Sequence, residues 1–351
     1  MNMEHLLLPP VPEPDHSAAA TVHQRQGRLT KPVGSLGRLE ELALQLASIT
    51  GTSAPSVARK AVIVMAADHG VVAEKVSAYP AEVTAQMVLN FLRGGAAINV
   101  LARQAGARVR VVDIGVKSVL PAHPELIVRK VAQGTQNMAL GPALTRTQTR
   151  SAVQVGLEVV AAECGKGLDL VALGEMGIGN TTASAAIVAA LTESPVAQVT
   201  GRGTGVDEAG LAHKISVIQR ALDLNRPNPW DPLDVLAKVG GLEIAGLVGV
   251  ILGAAARRVP VVMDGFISGA AALVAAEWVP EVKPFLIASH QSVERGHRVV
   301  LERLGKRPLL DLDMRLGEGT GAVLAFHLIE AAARLLNEMA TFEEARVSAK
   351  P

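Results

Sequence analysis

Four glycine-rich clusters hold the side chains in this 351-residue sequence that could do chemistry. The first is Arg315-Leu316-Gly317-Glu318-Gly319-Thr320-Gly321, a glutamate framed by glycines just before an apolar run from Ala322. Burial at such a point raises a carboxyl pKa and prepares a base. A plain helix-start glutamate held by the helix dipole fits the same residues equally well. The second is Gly174-Glu175-Met176-Gly177-Ile178-Gly179-Asn180-Thr181-Thr182. Glycines there let the backbone approach a ligand, and a following helix start offers N–H groups to an anion. A tight turn with an N-cap is the structural alternative, and the residues alone leave both open. The third, Thr200-Gly201-Arg202-Gly203-Thr204-Gly205 with Lys214 downstream, makes either an anion cradle or a flexible loop with a solvated lysine. Read in isolation, the loop is the better fit. The fourth, Ser289-His290-Gln291-Ser292-Val293-Glu294-Arg295-Gly296-His297, points to a nucleophile or a metal, yet three ligands at metal spacing are not evident. His69 and His290 read better as hydrogen-bonding residues at strand ends.

Several function classes are disfavoured. The net charge is +1 and no Lys/Arg cluster is long enough to follow a phosphate backbone, so nucleic acid is not an expected partner. The single cysteine, Cys164, rules out an intrachain disulfide and a multi-cysteine metal site, and it reads as a small core-facing residue. The second cluster lacks G-x-G-x-x-G spacing, no acid-terminated strand follows its helix, and no Gly-Lys-Ser/Thr occurs, so neither a dinucleotide fingerprint nor a P-loop is present. Mean hydropathy is +0.30. The uncharged runs 244–256 and 265–276 hold 13 and 12 residues, short of the ~20 that cross a bilayer. No basic N-terminal segment precedes an apolar stretch, so no secretory signal is expected and a cytoplasmic setting follows.

The elements that must position these clusters follow from periodicity. Short apolar runs at 61–67, 108–114, 168–173, 259–263 and 285–288 read as strands, several ending at Asp68, Asp113, Gly174, Asp264 or Ser289. Between and after them, 82–105, 181–191, 209–222, 241–257 and 321–339 carry helical spacing, as do 17–28 and the run from Leu36 to Leu46 near the N-terminus. Residues 1–16, with four prolines, read as a loosely ordered lead-in. Apolar strands alternating with helices predict an α/β fold, its parallel sheet covered on both faces. Aromatic residues make up only 2%, so Ala, Val, Leu and Ile must fill the core. In such sheets ligands bind beyond the carboxyl ends of the strands, where Asp68-His69-Gly70, Gly174–Gly177, Asp264-Gly265 and Ser289-His290 gather on one rim.

Taken together and in order, Lys31-Pro32 with Gly34-Ser35-Leu36-Gly37-Arg38-Leu39-Glu40, Ala67-Asp68-His69-Gly70-Val71, the 174–182 cluster, Lys238-Val239-Gly240-Gly241, Asp264-Gly265-Phe266-Ile267-Ser268, Ser289-His290 and 314–322 resemble the nicotinate-nucleotide–dimethylbenzimidazole phosphoribosyltransferases of cobalamin lower-ligand assembly. The resemblance spans about residues 29–330. It implies a mainly parallel, Rossmann-like six-stranded sheet covered by helices in a large α/β catalytic domain, residues 56–324. It also implies a small helical domain from both termini, residues 1–55 plus 325–351, and a homodimer. The activity it implies is transfer of ribose 5-phosphate from nicotinate mononucleotide to a benzimidazole-type base, with no cofactor and no metal. Carried over by position, Glu318 matches the catalytic base and Glu175 a second carboxylate. Met176, Gly177, Ile178, Gly179, Asn180, Thr181, Thr182, Gly203, Lys214, Asp264, Ser292, Arg315, Leu316 and Gly317 match the nucleotide site. Tyr79, Gln86 and Met87 occupy the base-pocket segment, whose side chains vary among members.

Two other readings compete. A phosphoribosyltransferase using a diphosphate-activated sugar would want a paired acidic motif after a strand, and none is found. A non-catalytic binding descendant would be expected to lose the glutamate of Gly317-Glu318-Gly319, which is present.

Overall fold

The computed structural model describes residues 7–348. Strands β1 (Lys60–Ala67), β2 (Ala107–Gly115), β3 (Leu126–Val128), β4 (Leu170–Met176), β5 (Val261–Met263) and β6 (Leu286–Ala288) form one sheet in the order β3-β2-β1-β4-β5-β6. Every pairing in it is parallel. A two-stranded parallel pair, β7 (His290–Gln291) with β8 (Leu310–Asp311), lies beyond β6. The order reverses between β1 and β4, which opens a crevice at their carboxyl ends.

The helices are α1 (His16–Arg28), α2 (Arg38–Thr50), α3 (Val83–Leu92), α4 (Ala97–Ala105), α5 (Arg146–Gly165), α6 (Asn180–Thr192) and α7 (Val196–Val199). They continue with α8 (Glu208–Asn225), α9 (Pro232–Val239), α10 (Leu242–Ala255), α11 (Phe266–Trp278), α12 (Arg295–Leu304) and α13 (Thr320–Glu338). In β1 all eight residues are buried, because both faces of the sheet are covered. Ile63 and Met65 join the core with α5, α10 and α11. Val62 and Val64 point the other way and join α2, α4 and α13. The helices from the two chain ends thus cover one face of the sheet, and α5, α6, α10 and α11 the other. The short apolar run at 244–256 is a core helix: every residue of α10 is buried. No helix among the described residues is long and apolar enough to cross a membrane.

Four expectations need correction. The stretch 82–105 is two helices, broken where Gly94 takes a left-handed φ of 74° and Arg103 donates to its carbonyl. The edge strand β3 was not anticipated, since three residues give no readable alternation. Nor were α9 and α12. Of the expected lead-in, residues 1–6 lie outside the described residues and Leu7 is exposed, but the segment that follows is held: Leu8 and Val11 contact the core and Arg258 donates to the Glu13 carbonyl at 3.0 Å.

The face that carries α10 depends on close backbone approach. A Cβ on Gly249 would lie 1.9 Å from the Val153 carbonyl oxygen, and one on Gly156 would lie 1.9 Å from that of Gly246. Helix-interior glycine is unfavourable by roughly 1 kcal/mol against alanine, so its use here reflects the contact between α5 and α10. Gly249→Leu is expected to destabilise the fold by about 3 kcal/mol by forcing these helices apart. At Gly27, where an added Cβ meets nothing, alanine should instead gain up to about 1 kcal/mol. Urea unfolding of both variants checks the pair. A wild-type midpoint for Gly249→Leu would show that the crossing is not tight.

Candidate active site

A cavity of about 420 Å³ opens at the carboxyl rim of the sheet. Its walls come from the segments after β4, β5 and β6, from the 315–318 loop, from Gly203-Thr204 and from Tyr79, Val83 and Met87. The size and the mixed lining suit a small ligand.

Glu318 owes its place to backbone strain. Its φ is +63°, between Gly317 at +89° and Gly319 at +94°. A side-chain-bearing residue is uncommon there. Gly174 makes room, because a Cβ on it would sit 2.5 Å from the Glu318 carbonyl oxygen. The Glu318 carboxylate accepts the N–H of Ile98, in the first turn of α4, at 3.1 Å through Oε2. Among the described residues no group donates to Oε1. Burial raises the Glu318 pKa and the nearby Asp264 charge adds to it, while the Ile98 bond opposes the rise. The result is a partly held carboxylate with one oxygen free on the cavity wall.

Asp264 holds the same loop from behind. Its Oδ1 accepts from Gly321 at 2.7 Å and Ala322 at 3.0 Å, and Oδ2 from Gly319 at 3.3 Å. Its carboxylate, expected in the substrate site, caps α13 and fixes the Glu318 turn. Burial pushes it up to about 7 against those N–H bonds. Glu175, at the end of β4, accepts from the side-chain amide of Asn180. Burial, then the Glu243 and Asp264 charges, push it up to about 8. Beneath the 177–179 turn the His69 ring meets Glu243 at 2.6 Å, both fully enclosed.

Basic and hydroxyl groups form another part of the site. Lys214, on α8, is 1% exposed and donates to Thr181 Oγ1 at 2.7 Å. Burial pulls it down to about 8, opposed by the Glu294 charge. Arg315 donates to the Gly203 carbonyl at 3.2 Å. The first turn of α6 has no side-chain cap, and its Asn180 and Thr182 amides donate to the Gly177 and Gly179 carbonyls at 3.0 Å. His297 accepts the Ser292 N–H at 3.0 Å. Burial holds His290 at about 4 and His297 at about 3, so both are neutral rings. Among the described residues no cluster of three or more His, Cys, Asp or Glu is arranged to hold a metal.

Of the residues singled out from the sequence, Glu318, Glu175, Met176, Gly177, Ile178, Asn180, Thr181, Gly203, Asp264, Ser292, Arg315, Leu316, Gly317, Tyr79 and Met87 line this one cavity. Four do not. Gln86 is exposed on α3, where the helical repeat puts Val83 and Met87 on the cavity side instead. Gly179 packs on Val72 and His69. The buried Thr182 hydroxyl has no partner among the described residues. Lys214 stands behind Thr181 and reaches the site through it. Sequence reasoning missed Val83, Thr204, Gly265, Phe266, Ile267, Ser268, His290 and Glu294 as lining residues. Most lie inside motifs already noted. Val83 was findable as the position four before Met87. Thr84, also missed, accepts the Ile178 N–H at 3.1 Å and steadies the turn.

The comparisons with known proteins agree on one relationship. The family described as Phosphoribosyltransferase matches residues 11–347. The nicotinate-nucleotide–dimethylbenzimidazole phosphoribosyltransferase of Chloroflexus aggregans is 64% identical over 336 residues, covering 96% of this chain and 95% of that protein. The protein of the same name from Roseiflexus sp. strain RS-1 is also 64% identical, with the same coverage. A crystal structure of the enzyme so named from Thermus thermophilus superposes with a TM-score of 0.91 at 51% identity, covering 96% of this chain and all of that one. With near-complete coverage in both directions and one cavity gathering most of the expected residues, this chain belongs to the nicotinate-nucleotide–dimethylbenzimidazole phosphoribosyltransferase family and is a pentosyltransferase.

Proposed function

We propose that the protein transfers ribose 5-phosphate from nicotinate mononucleotide to 5,6-dimethylbenzimidazole or a related base, giving α-ribazole 5′-phosphate and nicotinate. The observation that carries this reading is Glu318: a carboxylate with raised pKa, one oxygen held by Ile98 and the other free on a cavity wall. We extend the proposal to a role in cobalamin lower-ligand assembly, to a cytoplasmic homodimer and to a helical cap domain from 1–55 and 325–351, resting on the family relation and, for the cap, on the packing of α1, α2 and α13.

The chemistry follows from the substrates. In nicotinate mononucleotide, ribose C1′ is bonded to a positively charged pyridinium nitrogen. Breaking that bond returns its electron pair to nitrogen, so nicotinate leaves unprotonated. The acceptor's bare ring nitrogen attacks C1′ from the opposite face, which inverts a β-nucleotide to an α-riboside. As the new bond forms, the proton on the acceptor's second ring nitrogen becomes acidic and passes to Glu318. The raised pKa makes Glu318 a stronger base than a solvated glutamate. Its charge also stabilises positive charge developing on the ribose. Thr181, Lys214, Gly203, Ser292 and Arg315 anchor the phosphate, and that remote binding fixes C1′ against the acceptor. Tyr79, Met87, Met176 and Leu316 supply apolar surface for the base. Glu175, at about 8, is largely protonated at neutral pH and keeps a further negative charge out of the site.

Glu318→Gln should lower kcat by about a hundredfold or more, with the Kd for nicotinate mononucleotide within about threefold of wild type. Product analysis by mass and anomeric configuration accompanies the rate measurement. Near-normal kcat would remove Glu318 from the role of base, and a β-riboside would end the single-displacement scheme. Lys214→Ala should mainly raise KM for the nucleotide, and an unchanged KM would take Lys214 out of the phosphate site.

The buried carboxyl of Glu175 also gives stability a pH dependence. Its pKa is 4.5 unfolded and about 8 folded, so the native state binds the extra proton between those values. That contribution is fully present below about 4.5 and is lost as pH rises to about 8. Asp264 gives a fall of the same sign up to about 7. Glu175→Gln should therefore gain stability relative to wild type steadily from pH 5 to 8, as read from urea midpoints across that range. Parallel curves for the two proteins would mean that Glu175 is ionised throughout.

A further inference from the structure

Glu294 lies beside the anion cradle and has no role in the chemistry above. It is 6% exposed and lines the cavity. Its Oε1 accepts the N–H of Gly203 at 2.9 Å. Its Oε2 is enclosed with no partner among the described residues, packed where a Cβ on Gly201 would lie 2.1 Å away. Glycine at 201 therefore makes room for this carboxylate. A buried carboxylate with one oxygen unsatisfied is costly unless a neighbouring charge offsets it. Lys214 supplies that charge without bonding to it directly, since Lys214 Nζ donates to Thr181 Oγ1.

We propose that Glu294 is a positioning residue of the anion cradle: it holds the Gly203 amide and balances Lys214 while the cradle is empty, and the substrate's phosphate competes with it for both. The inference rests on the mononucleotide reading above. A carboxylate bound to a loop N–H beside a buried lysine already occupies the kind of position a phosphate oxygen would take. The arrangement keeps Gly203 and Lys214 in place without substrate. It also weakens phosphate binding by like-charge repulsion.

Other charged groups surround the cradle. Arg315 reaches the Gly203 carbonyl. Arg202 turns away, to Glu208 and the Val206 carbonyl. His290 and His297 are neutral rings. Glu175 at about 8, Asp264 at about 7 and the raised Glu318 face the same cavity, so the contribution of the Glu294–Lys214 pair is read as the difference between wild type and a Glu294 variant.

The test is KM for nicotinate mononucleotide from pH 6 to 9.5 in wild type and Glu294→Gln, an exchange that keeps an oxygen for the Gly203 N–H and removes the charge. At pH 7 the variant's KM should fall by about threefold to tenfold with kcat within about twofold. Its KM should then climb at a lower pH than in wild type, because Lys214 has lost the charge that kept it protonated. A KM raised by one factor at every pH would mean that Glu294 only pins the loop, and would overturn the proposal.

A second measurement compares the two proteins directly. Calorimetry of nicotinate mononucleotide binding at pH 8, in two buffers of different ionisation enthalpy, should show larger proton uptake by Glu294→Gln than by wild type, because Lys214 starts less protonated in the variant. Equal uptake by the two proteins would also overturn the proposal. Failure of wild type to bind the nucleotide at all would instead remove the mononucleotide reading, and this inference with it.

Discussion

The site depends on a strained turn clamped from two sides. Gly317, Glu318 and Gly319 all have left-handed φ, and such a run does not persist unless its surroundings over-determine it. Asp264 supplies the clamp by accepting three amides across the turn and the start of α13. Gly174 supplies the space, letting the Glu318 carbonyl lie against β4. The turn is therefore fixed to the ends of β4 and β5 rather than left as a mobile loop. Removing the Asp264 carboxylate would free those amides and release the Glu318 turn, although Asp264 itself is committed to backbone.

The parallel sheet explains why so many acids share one rim. In a parallel α/β fold each helix that follows a strand starts near the strand's carboxyl end, so helix N-termini and their partial positive charge gather there. Asp264 sits on the N-terminus of α13, Glu318 on that of α4, and Glu243 within the first turn of α10 facing His69. Glu175 has only the Asn180 amide. Burial, with the repulsion of Glu243 and Asp264 added, pushes it up to about 8, above Asp264 at about 7. One topological feature thus concentrates carboxyls and gives three of them backbone or ring partners while Glu175 has only a side-chain amide.

The fold was legible where burial on both faces removes the strand alternation and leaves plain apolar runs, as in β1 and β4. It was not legible at β3, whose three residues carry no period, or at the break between α3 and α4, where two adjacent glycines look like helix interior until Gly94 takes a left-handed φ. Most of the site was legible because glycine spacing marks where the backbone must bend or approach closely. What sequence could not distinguish was the direction of a side chain within a motif. Gln86 and Met87 are neighbours, yet the rotation of about 100° between consecutive helical residues sends only Met87 to the cavity. Asp264 and Glu318 are both acids on one rim, and only three-dimensional hydrogen bonding tells the clamp from the free carboxylate.

The division of charge within the cavity also limits what the site can turn over under the proposed chemistry. The donor brings a phosphate dianion and a pyridinium on one molecule, and the reaction removes the pyridinium charge while delivering a proton to a carboxylate. A site with only basic residues would hold the phosphate but raise the cost of the positive charge on ribose. A site with only acids would do the reverse. Here Lys214 and Arg315 meet the Gly203 loop while Glu318, Glu175 and Asp264 belong to the strand ends and the strained turn. Because Glu175 is mostly protonated near neutral pH, the acidic side has fewer negative charges than carboxyl groups and does not overwhelm the cradle. Phosphate binding can then coexist with a single strong base, which is the balance that a transfer between two ring nitrogens requires.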